Sequence, residues 1–534
     1  MSPRLPGDKT LSPIKRLLVF SIVILLAIWN LRTMQGTIPY SDDLKLILQS
    51  DGLFQDLFQV KIGWFAPGQR LIWNFLSSNF GLRTYFPYRF ISVLLVSVAA
   101  GMIGIRFARH HLFLGCIAVV WVWTIPSAFH TYFWPAASWT MAGLIFLMVY
   151  QDRSLASFQK QGAWSMILHV STAAILLSFS GPMGVPFLIG ASYQSFKRKR
   201  HIQSISLLAP IFVYALIILL FSRGDEPTPL ISNLFKSSKY VFDSIVNSCA
   251  SLFGLSNASG FSILIAIFAI FLLVVPRMEE DAKLSVKTWV ITLLSFWALL
   301  ALTRSHLPEE ANAPRYAIVG AFGLIVILLE CFRSIGTRNT VKANFGLFLL
   351  TLVCLSNWYS ADLLSNNFQY LSQQTRLKLT TVALIGDALP ENHQFDVLNY
   401  PLVSSQQYIE AIPDKGSLSL NENEIKLLSA VDRAWLEEQL LSFGQWTVGE
   451  RNKGESSCST YFWIDADQEA SKLVLIRNGS AGSKELKIQG ISGDLLSSFL
   501  IDGHDTVELK WNGTDAAAAL FTLSGEELEM CIFS

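Results

Sequence analysis

Long runs of apolar residues recur along the chain and stop near residue 358. Runs of this kind match the length of a helix that crosses the hydrocarbon core of a bilayer. The pattern therefore predicts about eleven transmembrane helices. Their expected bounds are 17–33, 90–106, 112–127, 137–151, 164–180, 183–196, 204–222, 261–276, 288–303, 315–332 and 344–358.

Two segments fit more than one arrangement. The runs 164–180 and 183–196 are joined by "SGPMG", which suits either two spans or a re-entrant feature. The segment 228–260 is amphipathic and carries Lys236 and Asp243, so it also suits a helix that lies on the membrane surface.

Composition supports a membrane protein and excludes several other classes. Charged residues make up 15% of the chain, hydrophobic residues make up 51%, and the mean hydropathy is +0.41. Soluble domains carry about 25% charged residues. The net charge of +1 gives no electrostatic support for a nucleic-acid partner. The six cysteines form no CxxC or Cys/His cluster, so a zinc or redox site is not expected.

Basic residues in the short loops predict the orientation, with "KRKRH" at 197–201 as the strongest marker. With residues 1–16 in the cytoplasm, every basic loop falls on the cytoplasmic side. The first run is not a cleavable signal, because its core ends in Trp29, Asn30 and Arg32 rather than in small residues. We therefore expect 17–358 to be the membrane domain, with a large first outside loop at 34–89.

The tail after residue 358 is expected to be exported and to form an α+β domain. Residues 359–445 have the spacing of helix and loop, whereas 446–534 alternate like short strands and predict a small β-sandwich or jelly roll. Cys458 and Cys531 lie near the two ends of this β-rich part. They fit either a disulfide or two independent thiols. The predicted fold is thus an α-helical multi-pass membrane protein with an exported C-terminal domain.

An acidic pair, Asp42 and Asp43, follows the first span in "TIPYSDDLKLI". A carboxylate at the mouth of a span is costly unless it has a partner or a chemical role. One aspartate is sufficient to cap the helix that "SDDLKLIL" predicts, because a carboxylate favours a helix N-terminus. The second is therefore a candidate for chemistry.

Three segments together resemble the C-type glycosyltransferase superfamily of multi-pass membrane enzymes (GT-C), with a membrane half like that of protein O-mannosyltransferases. They are "TIPYSDDLKLI", "FGLRTYFPYRFISVLLVSVAAGMIG" and "ANAPRYAIVGAFGL". The resemblance covers roughly residues 15–360. The chain departs from the pattern at "GWFAPGQRLIW", which keeps Pro67 but lacks the histidine that relatives often carry before it.

The resemblance implies a sugar transferase that uses a polyprenyl-phosphate sugar, works on the outer membrane face and inverts the anomeric centre. The acceptor would be a glycan, a lipid or a protein. Asp42 or Asp43 would be the base, with Asp42 slightly favoured because it lies closer to the span. Arg315, helped by Arg89 and Arg304, would bind the donor phosphate, since a guanidinium fork suits phosphate oxygens. Snorkelling at a span end is the alternative role of Arg315.

Sugar and acceptor contacts are expected from His130, Tyr132, Trp134 and Tyr316. An aromatic belt at the membrane interface is the competing explanation for the cluster at 129–139. No cofactor is required. The first loop has no DxD spacing, so a divalent metal is optional and would lie at the acidic pair.

Other functions remain open at this stage. A polymerase or ligase of O-antigen-like glycans shares the lipid-phosphate chemistry but carries its large loop later in the chain. A transporter predicts ionisable residues within the spans, where this sequence has mainly His169, with Glu330 near one end. A non-catalytic scaffold would not need eleven spans. The expected location is a bacterial inner membrane, with the tail in the periplasm.

Overall fold

A computed structural model describes the backbone of the following residues: 12–35, 37–39, 42–48, 54, 57, 65–126, 135–151, 163–221, 230–255, 257–305, 311, 313–336, 340–385, 405–420, 457–459, 472–478, 484–490, 495–501, 506–511, 519–523 and 528–533. The strands among them are described by their backbone alone. Predictions for the remaining residues lie outside the described part of the chain.

The helices, in chain order, are α1 Pro13–Thr33, α2 Asp42–Leu48, α3 Pro67–Phe80, α4 Phe86–Ala108, α5 Leu112–Thr124, α6 Pro135–Ser138, α7 Thr140–Gln151, α8 Ala163–Ser180, α9 Val185–Lys197, α10 His201–Phe221, α11 Leu230–Ser251, α12 Asn257–Val274, α13 Glu280–Arg304, α14 Pro314–Gly336, α15 Thr340–Ile385 and α16 Ser405–Lys415. Each of the predicted spans overlaps one of them.

The chain is a multi-pass membrane protein. Among the described residues, 8 helical segments are long and apolar enough to cross a bilayer. One of these, Trp164–Lys197, contains α8 and α9 and thus two predicted spans. Two more predicted spans correspond to α5 and α7, which are apolar but shorter than the other segments.

The helices α8 and α9 run in opposite directions on either side of a 3-10 turn. Gly181 opens that turn with a φ of 56°, a left-handed conformation that glycine adopts without strain. His169 near the start of α8 contacts Gln203, and Ser192 near the end of α9 lies 2.7 Å from the Ser204 hydroxyl. Both helices therefore reach the end of the bundle where α10 begins, as two spans would.

A buried ionic cluster joins α4, α7, α13 and α14 at one end of the bundle. Glu330 is fully buried and lies 2.6 Å from the guanidinium of Arg106. Arg106 also donates to Gln151 (2.7 Å) and to Ser285 (2.8 Å), and the Trp289 indole donates to Gln151 (3.0 Å). Because a buried charge is costly without a partner, this cluster fixes which ends of the four helices meet.

The loop between α4 and α5 adds a histidine to this end. Arg333 lies 3.3 Å from Glu330 and donates to the Nε2 atom of His110 over 3.1 Å. Burial and the neighbouring Arg333 charge lower the pKa of His110. The ring is therefore neutral near pH 7, which leaves Nε2 able to accept the hydrogen bond.

The amphipathic helix α11 packs one face on α12, α13 and α14. Tyr240 and Ser248 are buried in that face, whereas Lys236 and Lys239 are exposed. The Asn247 amide donates to the Ala311 carbonyl, between α13 and α14, over 3.4 Å. The apolar face of α11 thus packs against other helices of the protein. That the opposite, polar face lies at the membrane surface stays a prediction.

The chain divides into two compact units. The first comprises Met1–Gln35, Gly52–Leu76 and Phe86–Phe368, and the second comprises Gly36–Asp51, Ser77–Tyr85 and Gln369–Ser534. Two pieces of the predicted first outside loop therefore group with the tail rather than with the spans.

Contacts inside the second unit tie the tail to that loop. Helix α16 packs near α2, and the Leu82 amide donates to the Lys415 carbonyl over 2.7 Å. Gly81 has a φ of 54°, and a Cβ there would lie 2.1 Å from the same carbonyl oxygen. Segments that touch must lie on one side of the membrane. The loop and the tail therefore share a side, as an even number of spans between them requires.

Helix α15 is longer than its predicted span. It has 46 residues and continues from residue 358, where the span was expected to end, to Ile385. The fall in hydropathy at 358 suggested a domain boundary, but residues 347–385 contain no glycine or proline to end a helix. The predicted boundary therefore lies inside a continuous helix.

The described residues of the tail form seven strands in two antiparallel sheets. They are β1 Ser457–Ser459, β2 Lys472–Asn478, β3 Lys484–Gly490, β4 Leu495–Ile501, β5 Thr506–Trp511, β6 Ala519–Leu523 and β7 Leu528–Phe533. The sheet orders are β1-β7-β2-β5 and β4-β3-β6. The strands lie in the part where alternation predicted them. Packing of the two sheets into a sandwich stays a prediction.

Strand register brings the two tail cysteines opposite each other. Cys458 in β1 is the direct antiparallel partner of Cys531 in β7. Such partners have Cα atoms about 4.5–5.5 Å apart, which lies within the range that a disulfide spans. The backbone is therefore compatible with the predicted bond.

We expect Glu330→Gln to lower the stability of the purified protein in detergent. The change removes the charge that Arg106 faces in a buried site, a loss of about 1.5–3 kcal/mol for a hydrogen bond to a charged group. Thermal unfolding followed by tryptophan fluorescence measures it. Lys283→Gln is the control, because its partner Glu280 is exposed and such pairs contribute little. An unchanged melting temperature in Glu330→Gln would show that the cluster is not stabilising.

We also expect Cys458 and Cys531 to resist alkylation in the denatured protein until a reductant is added. Mass spectrometry after maleimide labelling, with and without dithiothreitol, measures the difference. Cys116, Cys249, Cys331 and Cys354 are free thiols and should label without reduction. The single variants Cys458→Ser and Cys531→Ser should each expose the other cysteine. Labelling of all six thiols without reductant would exclude the disulfide.

Candidate functional site

The acidic pair opens a short helix, as the capping pattern predicts. Helix α2 begins at Asp42 and has 7 residues. Both residues therefore belong to its first turn, where the helix dipole favours negative charge. Asp43 is fully buried at 0% exposure. The side chain of Asp42 lies outside the described residues.

Asp43 is held by a tyrosine that sequence reasoning did not single out. The Tyr85 hydroxyl donates a hydrogen bond to the Asp43 carboxylate, and Tyr85 itself is buried. A hydroxyl donor to an ionised acceptor makes one of the stronger hydrogen bonds in proteins. At the other end of α2, the Ser77 hydroxyl of α3 donates to the Ile47 carbonyl over 2.8 Å. The carboxylate is thereby fixed in position and closed off from solvent.

Arg89 lies in the first turn of α4, within the first unit. It is buried, and its Nη1 atom donates to the carbonyl of Met34 at the end of α1. One turn further into these packed helices are Asn30 and Ser92, both fully buried. The described residues give the Asn30 amide and the Ser92 hydroxyl no hydrogen-bond partner. This end of α1 and α4 is therefore a polar patch within the spans.

Two other predicted phosphate ligands flank the connection between α13 and α14. Arg304 ends α13, and Arg315 is the second residue of α14. The guanidinium of Arg315 lies 4.9 Å from the ring centre of the buried Tyr316, a cation–π contact. Both arginines are partly exposed. The ring contact orients the Arg315 guanidinium, which suits phosphate binding and snorkelling alike.

The aromatic candidates His130, Tyr132 and Trp134 lie outside the described residues, so their sugar-binding role stays a prediction. Their neighbour Trp139 is described and buried. It stacks on Phe179 with ring centres 5.4 Å apart. At least this aromatic residue of the cluster therefore contributes to packing between helices.

The structure joins Asp43 to Tyr85 in the second unit, and it places Arg89, Arg304 and Arg315 in the first unit. Sequence reasoning missed Tyr85, Asn30 and Ser92. A polar residue within an apolar run, such as Asn30, was the available signal. Among the described residues, no group of three or more His, Cys, Asp or Glu side chains could hold a metal ion. A metal at the acidic pair stays a prediction.

We expect Tyr85→Phe to destabilise the protein by about 1–3 kcal/mol, because a buried carboxylate loses its donor. The same change should cost less in an Asp43→Asn background, since a neutral amide is cheaper to leave without that bond. Thermal unfolding of the four proteins of this double-mutant cycle measures the coupling. Additive effects would show that the two side chains do not interact in solution.

Comparison with known proteins gives distant matches. No protein-family model and no curated protein matches the chain. ArnT from Cupriavidus metallidurans, solved with bound undecaprenyl phosphate, is 12% identical, with 82% of this chain and 96% of that chain covered and a TM-score of 0.41. Arabinosyltransferase EmbB from Mycobacterium smegmatis is 10% identical, with 99% of this chain and 66% of that chain covered and a TM-score of 0.32. Both are GT-C glycosyltransferases, the superfamily that the motifs resemble. Because both TM-scores are below 0.5, the likeness carries no argument about the chemistry of this chain.

Proposed function

We propose that the chain is a membrane glycosyltransferase that moves a sugar from a polyprenyl-phosphate donor to a glycan, lipid or protein acceptor on the outer face of the membrane. The observation that carries the proposal is the buried carboxylate of Asp43, which follows the first span and is held by Tyr85. A sugar transferase needs a fixed carboxylate outside the hydrocarbon. The motif resemblance supplies the class of reaction.

In this proposal the acidic pair supplies the general base. The acceptor hydroxyl must lose its proton as it attacks the anomeric carbon, so a carboxylate must lie within hydrogen-bond reach. Asp43 is closed off by Tyr85, so an acceptor that uses it takes the place of the tyrosine as hydrogen-bond donor. Attack on the face opposite the phosphate inverts the anomeric centre.

The leaving phosphate gains negative charge and needs a fixed cation. Arg315 is the first candidate, because its guanidinium is partly exposed and oriented by Tyr316. Arg89 is the second, since the buried Asn30 and Ser92 beside it add polar groups at the end of two spans. Arg304 at the end of α13 is a further ligand in the proposal. The lipid tail of the donor would lie along the apolar spans.

The tail is proposed to bind or position the acceptor. Its helix α16 packs near α2, the helix that begins with the acidic pair. An acceptor held by the tail would thus be presented to the carboxylates. A bacterial inner membrane with a periplasmic tail is the proposed location, and a divalent metal at Asp42 and Asp43 is optional.

The test is the pair of variants Asp42→Asn and Asp43→Asn. Asparagine caps a helix about as well as aspartate and still accepts a hydrogen bond from Tyr85, so the fold should persist. Loss of a general base lowers the rate about 10²–10⁴-fold. Transfer of radiolabelled hexose and pentose from polyprenyl-phosphate donors, in membranes that contain equal amounts of each variant, measures it.

Arg315→Lys is the companion variant. It keeps the charge but loses the fork, so it should weaken the use of the donor without changing membrane insertion. Lys239→Gln, an exposed position on α11, is the matched control and should transfer sugar at the normal rate. Full activity in both asparagine variants would remove the acidic pair from the mechanism and, with it, the main support for the proposal.

A further inference from the structure

The turn between α9 and α10 contains four consecutive basic residues, Lys197, Arg198, Lys199 and Arg200. We call these four residues the basic turn. The side chains of both lysines are exposed, and those of both arginines are partly exposed. Because α10 begins directly after the turn, all four charges are held within one short stretch at the end of two packed helices.

The backbone of this turn is a tight helix C-cap with an unusual residue. The Arg200 amide donates to the Ser195 carbonyl, and the Lys199 amide donates to the Phe196 carbonyl, both over 2.9 Å. This pair of bonds forms a Schellman motif, whose left-handed position usually holds glycine. Here Lys199 occupies it with a φ of 61°, as the only non-glycine residue of the described chain with a positive φ. The chain therefore has a lysine at a position where glycine would adopt the left-handed backbone conformation without strain.

The surrounding sequence brings fewer acidic than basic residues to the basic turn. No aspartate or glutamate occurs between Arg153 and Gly224, a segment that covers α8, α9 and α10. Helix α13 packs against α9 and brings Glu280 and Asp281, two acidic residues against the four basic residues of the turn. A net positive charge therefore remains at this end of the bundle.

Exposed apolar side chains lie on both sides of the basic turn. Phe196 is 52% exposed, Ile202 is 66% exposed and Ile205 is 68% exposed. On a membrane helix such side chains contact acyl chains. The turn thus combines cations at the polar edge of the bilayer with apolar groups directly next to them. An acidic phospholipid is complementary to this arrangement, because its anionic headgroup lies next to its apolar acyl chains.

We infer that the basic turn binds the phosphate headgroup of an acidic phospholipid, with Phe196, Ile202 and Ile205 against its acyl chains. The inference is independent of the glycosyltransferase proposal. Basic residues are generally enriched on one side of a membrane, but the inference assigns a saturable binding site to this turn. Lys197 and Lys199 are the ligands that can be substituted to test that site. A lysine near an anionic lipid surface contributes an affinity factor of about five.

The experiment uses the purified full-length chain in neutral detergent micelles. Dioleoylphosphatidylglycerol is titrated in, with dioleoylphosphatidylcholine as the neutral reference, and the melting temperature is read from tryptophan fluorescence. We expect a saturable rise with phosphatidylglycerol alone. Lys197→Gln should shift the half-saturating lipid concentration upward about fivefold, and the double variant with Lys199→Gly should shift it about 25-fold.

The Lys199→Gly substitution is not expected to destabilise the fold, because glycine adopts the left-handed backbone conformation at this position without strain. In phosphatidylcholine its melting temperature should equal or exceed that of the unchanged protein, while its response to phosphatidylglycerol weakens. Lys287→Gln is the matched control, since it removes an exposed lysine from α13 and should leave the response intact.

Three outcomes would overturn the inference. One is an equal response of the unchanged protein and the Lys197→Gln, Lys199→Gly variant. Another is a loss in Lys287→Gln as large as that in the double variant, which would show a diffuse charge effect. The third is an equal rise with inorganic phosphate in place of the lipid, which would assign the turn to free phosphate.

Discussion

The hydrocarbon core of a bilayer offers no hydrogen-bond partner, so a polar group that a membrane helix buries is costly unless the protein supplies a partner. In the described bundle the contacts of two arginines of α4 lie at the ends of the helices. Arg106 and Glu330 meet at one end of α4, and Arg89 reaches Met34 at the other. The same constraint sets the sidedness of the chain, because each contact requires the helix ends that make it to lie at one surface.

The chemistry of the proposed site follows from the same constraint. An ionised carboxylate inside a span would be costly, and Asp43 instead lies in a short helix after the first span, in the unit that contains the tail. His169 shows how an ionisable group within a span is accommodated. It is buried, and its ring nitrogens contact Tyr150 (2.5 Å) and Ser165 (3.2 Å). Both ring nitrogens therefore have partners within the protein.

Patterns of neighbouring residues in the sequence predicted the features that depend on neighbouring residues. Hydropathy located the apolar helices, and the capping pattern located the start of α2. Pairings between distant residues left no periodic signal: Tyr85 meets Asp43 across 42 positions, and Arg106 meets Glu330 across 224. Hydropathy marked the end of the apolar run near 358 but not the end of α15, because a fall in apolar content does not end a helix that contains no breaker. For the site, the sequence could name the acidic pair but could not show that Asp43 is buried.

The position of the acidic pair depends on contacts that α2 cannot supply itself. A helix of 7 residues is too short to be stable alone, because helix nucleation is costly and propagation adds little over two turns. Helix α2 therefore persists through Tyr85 at its start, Ser77 at its end and α16 of the tail beside it. Any change that moves α16 must then act on α2 and on the carboxylates in its first turn. In the proposed function, a tail that binds the acceptor would in this way control the geometry of the base as well as supply the substrate.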